Sequence, residues 1–297
     1  MKRFVFIVNP ISGTHDKQQI LDLIPTMFDG GDYQVVYTER AGHATEIASQ
    51  AAEEGAHIVV AIGGDGTVNE VACGIAHTES ALGIVPCGSG NGLARHLGLS
   101  MKPEKALQTN KEAHIELCDY GLICDHPFFC TAGVGFDAEV SNIFAKAGKR
   151  GLPTYFKTTI SLGLKYQGEV LDIEFDDGEV IKDEKFWLVT AGNAAQYGND
   201  FFITQDASLR DGYLDVNLWS PFNKNESPVV GFELHHRMIA KNRHVRVKRC
   251  KKVTIHRQQE GAIQWDGDPA WGPKDITMEI VEGGIKMVVG TPRKNRL

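Results

Sequence analysis

Glycine-rich segments recur in the first third of the chain, each directly after an apolar run. Residues 9–13 read NPISG, residues 63–67 read GGDGT and residues 86–92 read PCGSGNG. Glycine lets backbone N–H groups approach a phosphate closely, and a helix that begins at such a loop adds a favourable dipole. Loops after successive strands of one parallel sheet share its carboxyl edge, where open α/β folds bind ligands. The pattern therefore predicts a phosphate-binding site.

Asp65, inside the second of these loops, indicates a metal. A carboxylate among amides aimed at a phosphate would repel it unless a Mg²⁺ lay between them, since Mg²⁺ prefers carboxylates, phosphate oxygens and water. The alternative is that Asp65 only accepts hydrogen bonds from turn amides. Thr67 and Glu70 have the spacing of a capping box, which predicts a helix that begins directly after Thr67. The P-loop pattern GxxxxGK[ST], and GxGxxG after the first strand, are absent from the sequence.

Strand and helix patterns alternate over the first 125 residues. The predicted strands are residues 4–8, 33–37, 58–62 and 82–85, and the predicted helices are residues 16–28, 44–54 and 68–76. The run at 58–62 is continuously apolar, as in a parallel strand that is covered on both faces. This alternation predicts right-handed βαβ units in an open α/β sheet.

The pattern changes after residue 125. Helices are predicted at 136–147, 154–165 and 229–240, and strands at 170–175, 186–191, 213–219, 245–248, 253–256, 276–281 and 285–289. Strands at this spacing predict a β-sandwich or barrel-like second domain. The expected fold class is α/β plus all-β, with an open α/β domain at 1–125 and a β-sandwich at 126–289. The cleft between two such domains is the default place for a site.

Residues 63–71, GGDGTVNEV, resemble the diacylglycerol kinase catalytic-domain family, which includes bacterial lipid kinases, sphingosine kinases and ceramide kinases. Residues 9–13, 86–94, 209–215 and 266–268 match further motifs of that family in order. The resemblance covers nearly the whole chain, although GGDGT alone also occurs in NAD kinases and phosphofructokinases. It implies a nucleotide-binding α/β domain, a β-sandwich domain and an active site between them, with residues from about 290 to 297 returning to the first domain.

The resemblance also implies the residues of the site. Those expected to contact ATP are Asn9, Ser12, Thr38, Gly63, Gly64, Asp65, Gly66, Thr67, Asn69 and Ser89. Asp65 would serve the catalytic Mg²⁺ through water, with Asp119 in the same network. Asp211 would bind a second, structural Mg²⁺ together with main-chain oxygens of Ser208 and Tyr213. Asp268 occupies the position of the general base.

Three departures from the family pattern bear on chemistry. Bacterial members usually have Asp-Gly-Glu where this chain has Asp at 268, one methylene shorter. A carboxylate there can still take a proton from an alcohol, and the alternative makes residues 266–269 a plain hairpin turn. Gly92 stands where bacterial diacylglycerol kinases usually have Asp, which favours a sphingoid or other long-chain alcohol over diacylglycerol. The opening motif lacks a basic residue directly behind its glycine, and no role follows for Lys17.

Charge and hydropathy limit the partners. The 297 residues carry a net charge of -7, which argues against bulk attraction to nucleic acid. No apolar run approaches the roughly 20 residues that span a bilayer. We therefore expect a cytoplasmic protein that reaches its lipid from the surface of the inner membrane face; a homodimer is compatible with the sequence.

A basic segment, residues 237–257, contains nine Lys or Arg and no acidic residue. Two interpretations stay open, docking on anionic lipid and the solvated edge of a β-domain. The predicted function is Mg²⁺-dependent transfer of the ATP γ-phosphoryl group to a lipid hydroxyl, either a diacylglycerol or a sphingoid-type alcohol. The alternatives are a kinase of a soluble acceptor and a nucleotide-binding regulator without catalysis.

Overall fold

A computed structural model describes residues 2–13, 17–146, 159, 162–163 and 165–290. The chain forms two compact units: the first holds the described residues up to Asp119 and those from Glu282 onward, and the second is Tyr120–Val281. The domain limits inferred from the sequence remain a prediction. Within the described residues, no helix combines the length and apolar content needed to cross a bilayer.

The first unit is built on a parallel sheet. Its strands are β1 (Arg3–Val8), β2 (Asp32–Tyr37), β3 (Ile58–Gly63) and β4 (Ala81–Pro86), in the order β2-β1-β3-β4. Its helices are α1 (Lys17–Met27), α2 (His43–Glu53), α3 (Asp65–Ile75), α4 (Gly92–His96) and α5 (Pro103–Glu112). Every residue of β3 and β4 is buried, because helices cover both faces of such a sheet. The parallel pairing brings the carboxyl ends of the strands to one edge.

The second unit is mainly antiparallel. After β5 (Ile115–Ile123), which begins in the first unit, its elements are β6 (His126–Phe128), β7 (Thr131–Gly135), α6 (Phe136–Lys146), β8 (Glu169–Phe175), β9 (Val180–Phe186), β10 (Leu188–Gly192), β11 (Leu214–Trp219), α7 (Ser227–His235), β12 (Val245–Cys250), β13 (Lys252–Arg257), β14 (Gly261–Trp265), β15 (Asp268–Gly272) and the first half of β16 (Asp275–Val288). One sheet has the order β12-β11-β10-β7-β14-β15, and β16, β13, β8 and β9 adjoin in a second. Val189 and Val216 of the six-stranded sheet share a buried core with Ile173 of β8, Val253 of β13 and Ile276 of β16. Removal of this apolar surface from water drives the packing. The predicted fold class, an α/β domain followed by an antiparallel β domain, is confirmed.

Several element predictions are wrong in detail. The predicted capping box is absent, because α3 begins at Asp65 with Gly64 at its N-cap and no side-chain cap. Thr67 and Glu70 therefore lie inside the helix, and a Glu70 carboxylate oxygen accepts a hydrogen bond from the Ala44 N–H of α2. The predicted strands 276–281 and 285–289 are one strand, β16. The predicted helix 229–240 ends at His235, and most of the predicted helix 154–165 lies outside the described residues.

Candidate functional site

The three glycine-rich loops of the first unit touch one another through backbone atoms. Gly13, at φ +74°, lies directly against the carbonyl of Cys87, and the Cys87 N–H donates to the Gly63 carbonyl at 2.7 Å. A Cβ added to Gly88 would come within 2.7 Å of the Gly64 Cα. Such a distance cannot be accommodated without movement of the backbone. The loops thus form a surface of main-chain atoms at the carboxyl edge of the sheet.

Polar side chains predicted to contact ATP lie at this same edge. The Asn9 amide donates to Thr67 Oγ1 at 3.1 Å, which joins the first loop to the second. Ser12 Oγ donates to the Asn9 carbonyl at 3.2 Å. Thr38 follows β2 and is buried, with its N–H donating to the Val8 carbonyl at 2.9 Å. These residues are therefore held in place by contacts within the edge itself.

The remaining predicted nucleotide contacts differ in exposure. Ser89 is exposed in the third loop, and Gly66 is partly exposed in the first turn of α3. Asn69 is buried in α3 and accepts a weak hydrogen bond from Cys73 Sγ at 3.5 Å. Ser89 and Gly66 are thus the more accessible of the three to a ligand.

The Asp65 carboxylate accepts two backbone hydrogen bonds from the third loop. Oδ2 accepts from the Asn91 N–H at 2.9 Å and Oδ1 from the Gly92 N–H at 2.8 Å. Asn91 has φ 51° and bonds Gly88 in both directions through its side-chain amide. The turn-amide interpretation of Asp65 therefore describes its contacts. An ionised carboxylate oxygen has a second lone pair, so water on a bound Mg²⁺ could still be accepted.

Lys17 reaches the first loop, a contact that was not predicted from the sequence. Its ammonium donates to the carbonyl oxygens of Ser12 and, at 3.4 Å, Pro10. Partial burial lowers the pKa of Lys17 from its ordinary value, although the nearby Cys87 thiol opposes that shift. The signal was a lysine one helical turn beyond the opening motif. A cation at a loop of this kind suits a phosphate ligand.

Asp119 contacts the second half of β16, the part that lies in the first unit. It is buried, and its Oδ1 accepts from the Gly283 N–H at 2.7 Å. Gly283 has φ +59° within β16, so Asp119 stabilises an irregular point of that strand. The participation of Asp119 in a magnesium network stays a prediction.

In the second unit, Asp268 begins β15 and is exposed. It pairs with Trp265 across a two-residue turn, Asp266-Gly267, whose φ angles of 49° and 90° are both positive. Asp-Gly with this conformation is a tight hairpin turn. The hairpin interpretation is therefore correct for the backbone, and it leaves the Asp268 side chain accessible.

The turn is held by the side chain of Asp266, for which no separate role was predicted from the sequence. Its carboxylate accepts from the N–H groups of Phe129 at 2.9 Å, Cys130 at 2.8 Å and Thr131 at 3.2 Å. The Asp266 N–H also donates to the Thr131 carbonyl at 2.8 Å. These partners are some 135 residues away in sequence, so no local motif indicates them.

The predicted structural metal site contains an arginine. Asp211 Oδ1 accepts from the Tyr213 N–H at 3.1 Å, and Oδ2 accepts from Arg249 Nη2 at 2.5 Å. The Arg249 guanidinium also lies 4.8 Å from the centre of the Tyr213 ring. Ser208 Oγ accepts from the Arg210 N–H at 3.3 Å. Arg249 therefore neutralises the Asp211 charge that a cation would otherwise neutralise.

Asp215 lies beside this pair with an unsatisfied oxygen. Its Oδ2 is buried without a hydrogen-bond partner, and Oδ1 is 3.9 Å from Arg249 Nε. Burial raises the pKa of Asp215 to about 6, with Arg249 opposing and Asp211 adding to the shift. Among the described residues, His, Cys, Asp and Glu form no group of three or more that could hold a metal. The orphaned oxygen and the Asp211 carboxylate are hard donors that suit Mg²⁺, and main-chain oxygens would have to complete the set.

The basic segment 237–257 is largely neutralised. Five of its cations pair with carboxylates outside it: Arg243 with Glu226, Arg246 with Glu184, Lys248 with Asp177 and Glu179, Arg249 with Asp211, and Lys252 with Glu279. The Arg257 guanidinium donates to four carbonyl oxygens. These contacts favour the edge of a β-domain over docking on anionic lipid.

Comparison with known proteins agrees with this architecture. A family model described as "Diacylglycerol kinase catalytic domain" matches residues 3–123, and one described as "YegS C-terminal NAD kinase beta sandwich-like domain" matches residues 130–289. The chain is 27% identical over 276 residues to "Diacylglycerol kinase" of Bacillus subtilis, with 90% of each chain covered. It is 33% identical over 193 residues to "Probable lipid kinase YegS-like" of Chromohalobacter salexigens, which covers 63% of this chain and 61% of that protein.

A solved structure shows the same fold. The crystal structure of a putative diacylglycerol kinase from Bacillus anthracis superimposes with a TM-score of 0.81 at 22% identity, covering 97% of this chain and 95% of that one. The two family models together span both units of the protein. The chain therefore belongs to the diacylglycerol kinase catalytic-domain family of bacterial lipid kinases, with a YegS-type C-terminal domain.

Proposed function

We propose that this protein transfers the terminal phosphoryl group of ATP to a hydroxyl group of a membrane lipid. The observation that carries the proposal is the surface of main-chain atoms made by the three glycine-rich loops, with Lys17 and the Asp65 carboxylate beside it. Backbone N–H groups at a strand edge and a helix start suit the phosphates of a nucleotide. The likeness to proteins called diacylglycerol kinase and lipid kinase supports a lipid acceptor.

Each unit contributes one part of the chemistry. In the first unit, the loops and the residues predicted for ATP would hold the nucleotide, and Lys17 would contact its phosphates. Asp65 would orient water on a catalytic Mg²⁺, which supplies positive charge to the phosphoryl oxygens when bound. In the second unit, Asp211, with main-chain oxygens of Ser208 and Tyr213, would hold a structural Mg²⁺.

In the second unit, Asp268 would act as the general base. Its carboxylate would take the proton of the lipid hydroxyl as that oxygen forms its bond to phosphorus and the bond to ADP breaks. A base for this step must reach the hydroxyl within hydrogen-bond distance. The exposed position of Asp268 at the end of a tight turn allows that approach. The acceptor that we propose is a long-chain alcohol, either a diacylglycerol or a sphingoid-type lipid.

The test is transfer from labelled ATP in the presence of Mg²⁺ to a panel of diacylglycerols, sphingoid bases, ceramides and polyprenols in mixed micelles. NAD⁺ serves as the soluble acceptor. We expect the wild type to label one lipid class, and Asp65→Ala and Asp268→Ala to lose at least about 100-fold in rate. Asp275→Ala, which removes an exposed carboxylate of the second unit, is the matched control and should retain full activity.

Other outcomes would support an alternative function or remove a proposed role. Labelling of NAD⁺ alone would replace the lipid by a soluble acceptor. Binding of ATP without transfer to any acceptor would support a nucleotide-binding regulator. Wild-type activity in Asp268→Ala would remove the proposed base.

A further inference from the structure

A carboxylate that none of the motifs includes is buried at the start of α6. Asp137 Oδ2 accepts hydrogen bonds from Thr190 Oγ1 at 2.7 Å, Tyr197 OH at 2.7 Å and Gln264 Nε2 at 3.1 Å. Its Oδ1 accepts from the Ala138 N–H at 2.9 Å. Burial raises the pKa of Asp137, and these hydrogen bonds oppose that shift. Four donors from separate elements thus converge on one side chain.

Gln264 connects this carboxylate to the turn before Asp268. It is 2% exposed, its Nε2 donates to Asp137, and its Oε1 accepts from the Gly267 N–H at 3.2 Å. The Gly267 N–H fixes the orientation of the amide, because a backbone N–H only donates and therefore faces Oε1, which leaves Nε2 on the side of Asp137. Gly267 directly precedes Asp268 in the chain. A continuous path of hydrogen bonds therefore runs from α6 to the backbone of the turn.

The same carboxylate holds a second segment. Tyr197 lies in residues 193–202, whose start is fixed when the Asn193 and Ala194 N–H groups donate to the Cys130 carbonyl. Cys130 in turn donates to Asp266. Asp137 and Asp266 thus stabilise the turn from two sides, Asp266 through three backbone amides and Asp137 through Gln264.

We propose that Asp137 and Gln264 are positioning residues for Asp268, which rests on the proposed role of Asp268 as the general base. Glycine at the tip of an exposed two-residue turn leaves the backbone direction weakly determined by itself. The Gln264 contact removes that freedom at the residue next to the base. Since displacement of a reacting group by about 1 Å can cost about 100-fold in rate, this contact should matter for turnover.

The test compares two buried substitutions. Gln264→Met has a similar volume and removes both hydrogen bonds, so we expect kcat to fall about 10- to 100-fold with the KM for ATP unchanged. Thr190→Val also removes one donor to Asp137 but leaves the contact between Gln264 and Gly267. We expect it to lower thermal stability by a similar amount while kcat stays within about threefold.

A double-mutant cycle separates positioning from general destabilisation. If Gln264 acts through Asp268, then Gln264→Met should cost nothing further in a background of Asp268→Asn. Losses that multiply in the double variant, or equal kcat losses in Gln264→Met and Thr190→Val, would overturn the inference.

Failure of the proposed function would be visible separately, as a wild type that labels no lipid. In that case, amide hydrogen exchange at Gly267 still tests, without any activity measurement, whether Gln264 holds the backbone of the turn. Faster exchange in Gln264→Met than in Thr190→Val supports it, and equal exchange overturns it.

Discussion

The two units hold the carboxylates that we propose for catalysis by different means. Asp65 accepts from the amides of Asn91 and Gly92, in a region where glycine loops touch through backbone atoms. Asp268 follows a turn that is held by the side chains of Asp266 and Gln264, which bind groups more than 120 residues away. The first arrangement is sensitive to added atoms, and the second to the loss of polar ones.

The largest effect on stability should come from Asp266→Ala. The change leaves the N–H groups of Phe129, Cys130 and Thr131 without their acceptor, and it puts alanine at φ 49°. We expect the free energy of unfolding to fall by about 3 kcal/mol, since each partly buried amide left unsatisfied costs about 1 kcal/mol or more. Urea denaturation measures it.

Asp275→Ala is the control for that experiment, because Asp275 is an exposed aspartate of the same unit with His256 as its partner. Its loss should stay within about 0.5 kcal/mol. If Asp266→Ala lowers the free energy of unfolding by less than about 1 kcal/mol, the turn is stable without the Asp266 side chain.

Addition of one methyl group should break the first arrangement. In Gly88→Ala, the new Cβ would lie 2.7 Å from the Gly64 Cα, so the second and third loops must move apart. We expect the Kd for ATP to rise at least about 10-fold and the free energy of unfolding to fall by about 1–3 kcal/mol, as for other overpacked sites. Calorimetric titration with a non-hydrolysable ATP analogue measures the affinity.

Gly231→Ala is the matched control for Gly88→Ala, because a Cβ at Gly231 meets nothing within 4 Å and the residue lies in α7. Alanine should stabilise that helix by a few tenths of a kcal/mol, up to about 1 kcal/mol, and leave ATP binding unchanged. Equal affinity in both alanine variants would show that close backbone approach is not needed for nucleotide binding.

The difference between the units also explains what could be predicted. The parallel strands and loops of the first unit follow from continuous apolar runs and contiguous motifs, so β1 to β4 and the shared edge were predictable. The start of α3 was not. Thr67 and Glu70 fit a local capping rule, but tertiary partners, Asn9 and Ala44, hold their side chains instead.

The second unit shows more clearly what could not be predicted from the sequence. Its hairpin at Asp266-Gly267 could be recognised as a turn, yet the partners of Asp266 and Gln264 depend on antiparallel pairing across the whole unit. The pairing of Asp211 with Arg249 likewise joins residues 38 positions apart. Sequence alone indicates which residue types are suited to chemistry, whereas the groups that hold them come from strand register.

Lys17 is an exception in the first unit, because it adds a side-chain contact to loops that otherwise touch through backbone atoms. In Lys17→Met the ammonium that reaches the Ser12 and Pro10 carbonyls is lost. We expect the KM for ATP to rise about 3- to 10-fold, since an ion pair with phosphate contributes about 1 kcal/mol or somewhat more at a partly exposed site. Steady-state kinetics with varied ATP measures it.

Lys111→Met removes a similar contact in the same unit, between an ammonium and the Met27 carbonyl, and should leave the KM unchanged. If Lys17→Met also leaves the KM for ATP unchanged, the lysine only stabilises the loop, and main-chain groups alone bind the phosphates.

The smallest effect concerns Asp215, whose Oδ2 is held by neither backbone nor side chains. Burial raises its pKa from 3.8 to about 6 in the folded protein. As the pH rises from about 4 to about 6, the unfolded chain therefore releases this proton first, and stability falls across that window. Asp215→Asn removes this loss, so its Tm should exceed that of the wild type by about 2–4 °C at pH 7 and by less at pH 4.

Asp206→Asn is the control, because Asp206 is exposed and its charge adds only a smaller part of the raised pKa of Asp215. Asp206→Asn should also raise the Tm at pH 7, but by less than Asp215→Asn does. If Mg²⁺ binds beside Asp215 and Asp211, the cation would stabilise the charged carboxylate, and added Mg²⁺ should raise the Tm of the wild type more than that of Asp215→Asn. Identical pH dependence in the wild type and Asp215→Asn would mean that water reaches Oδ2 and that this carboxylate is solvated like an ordinary one.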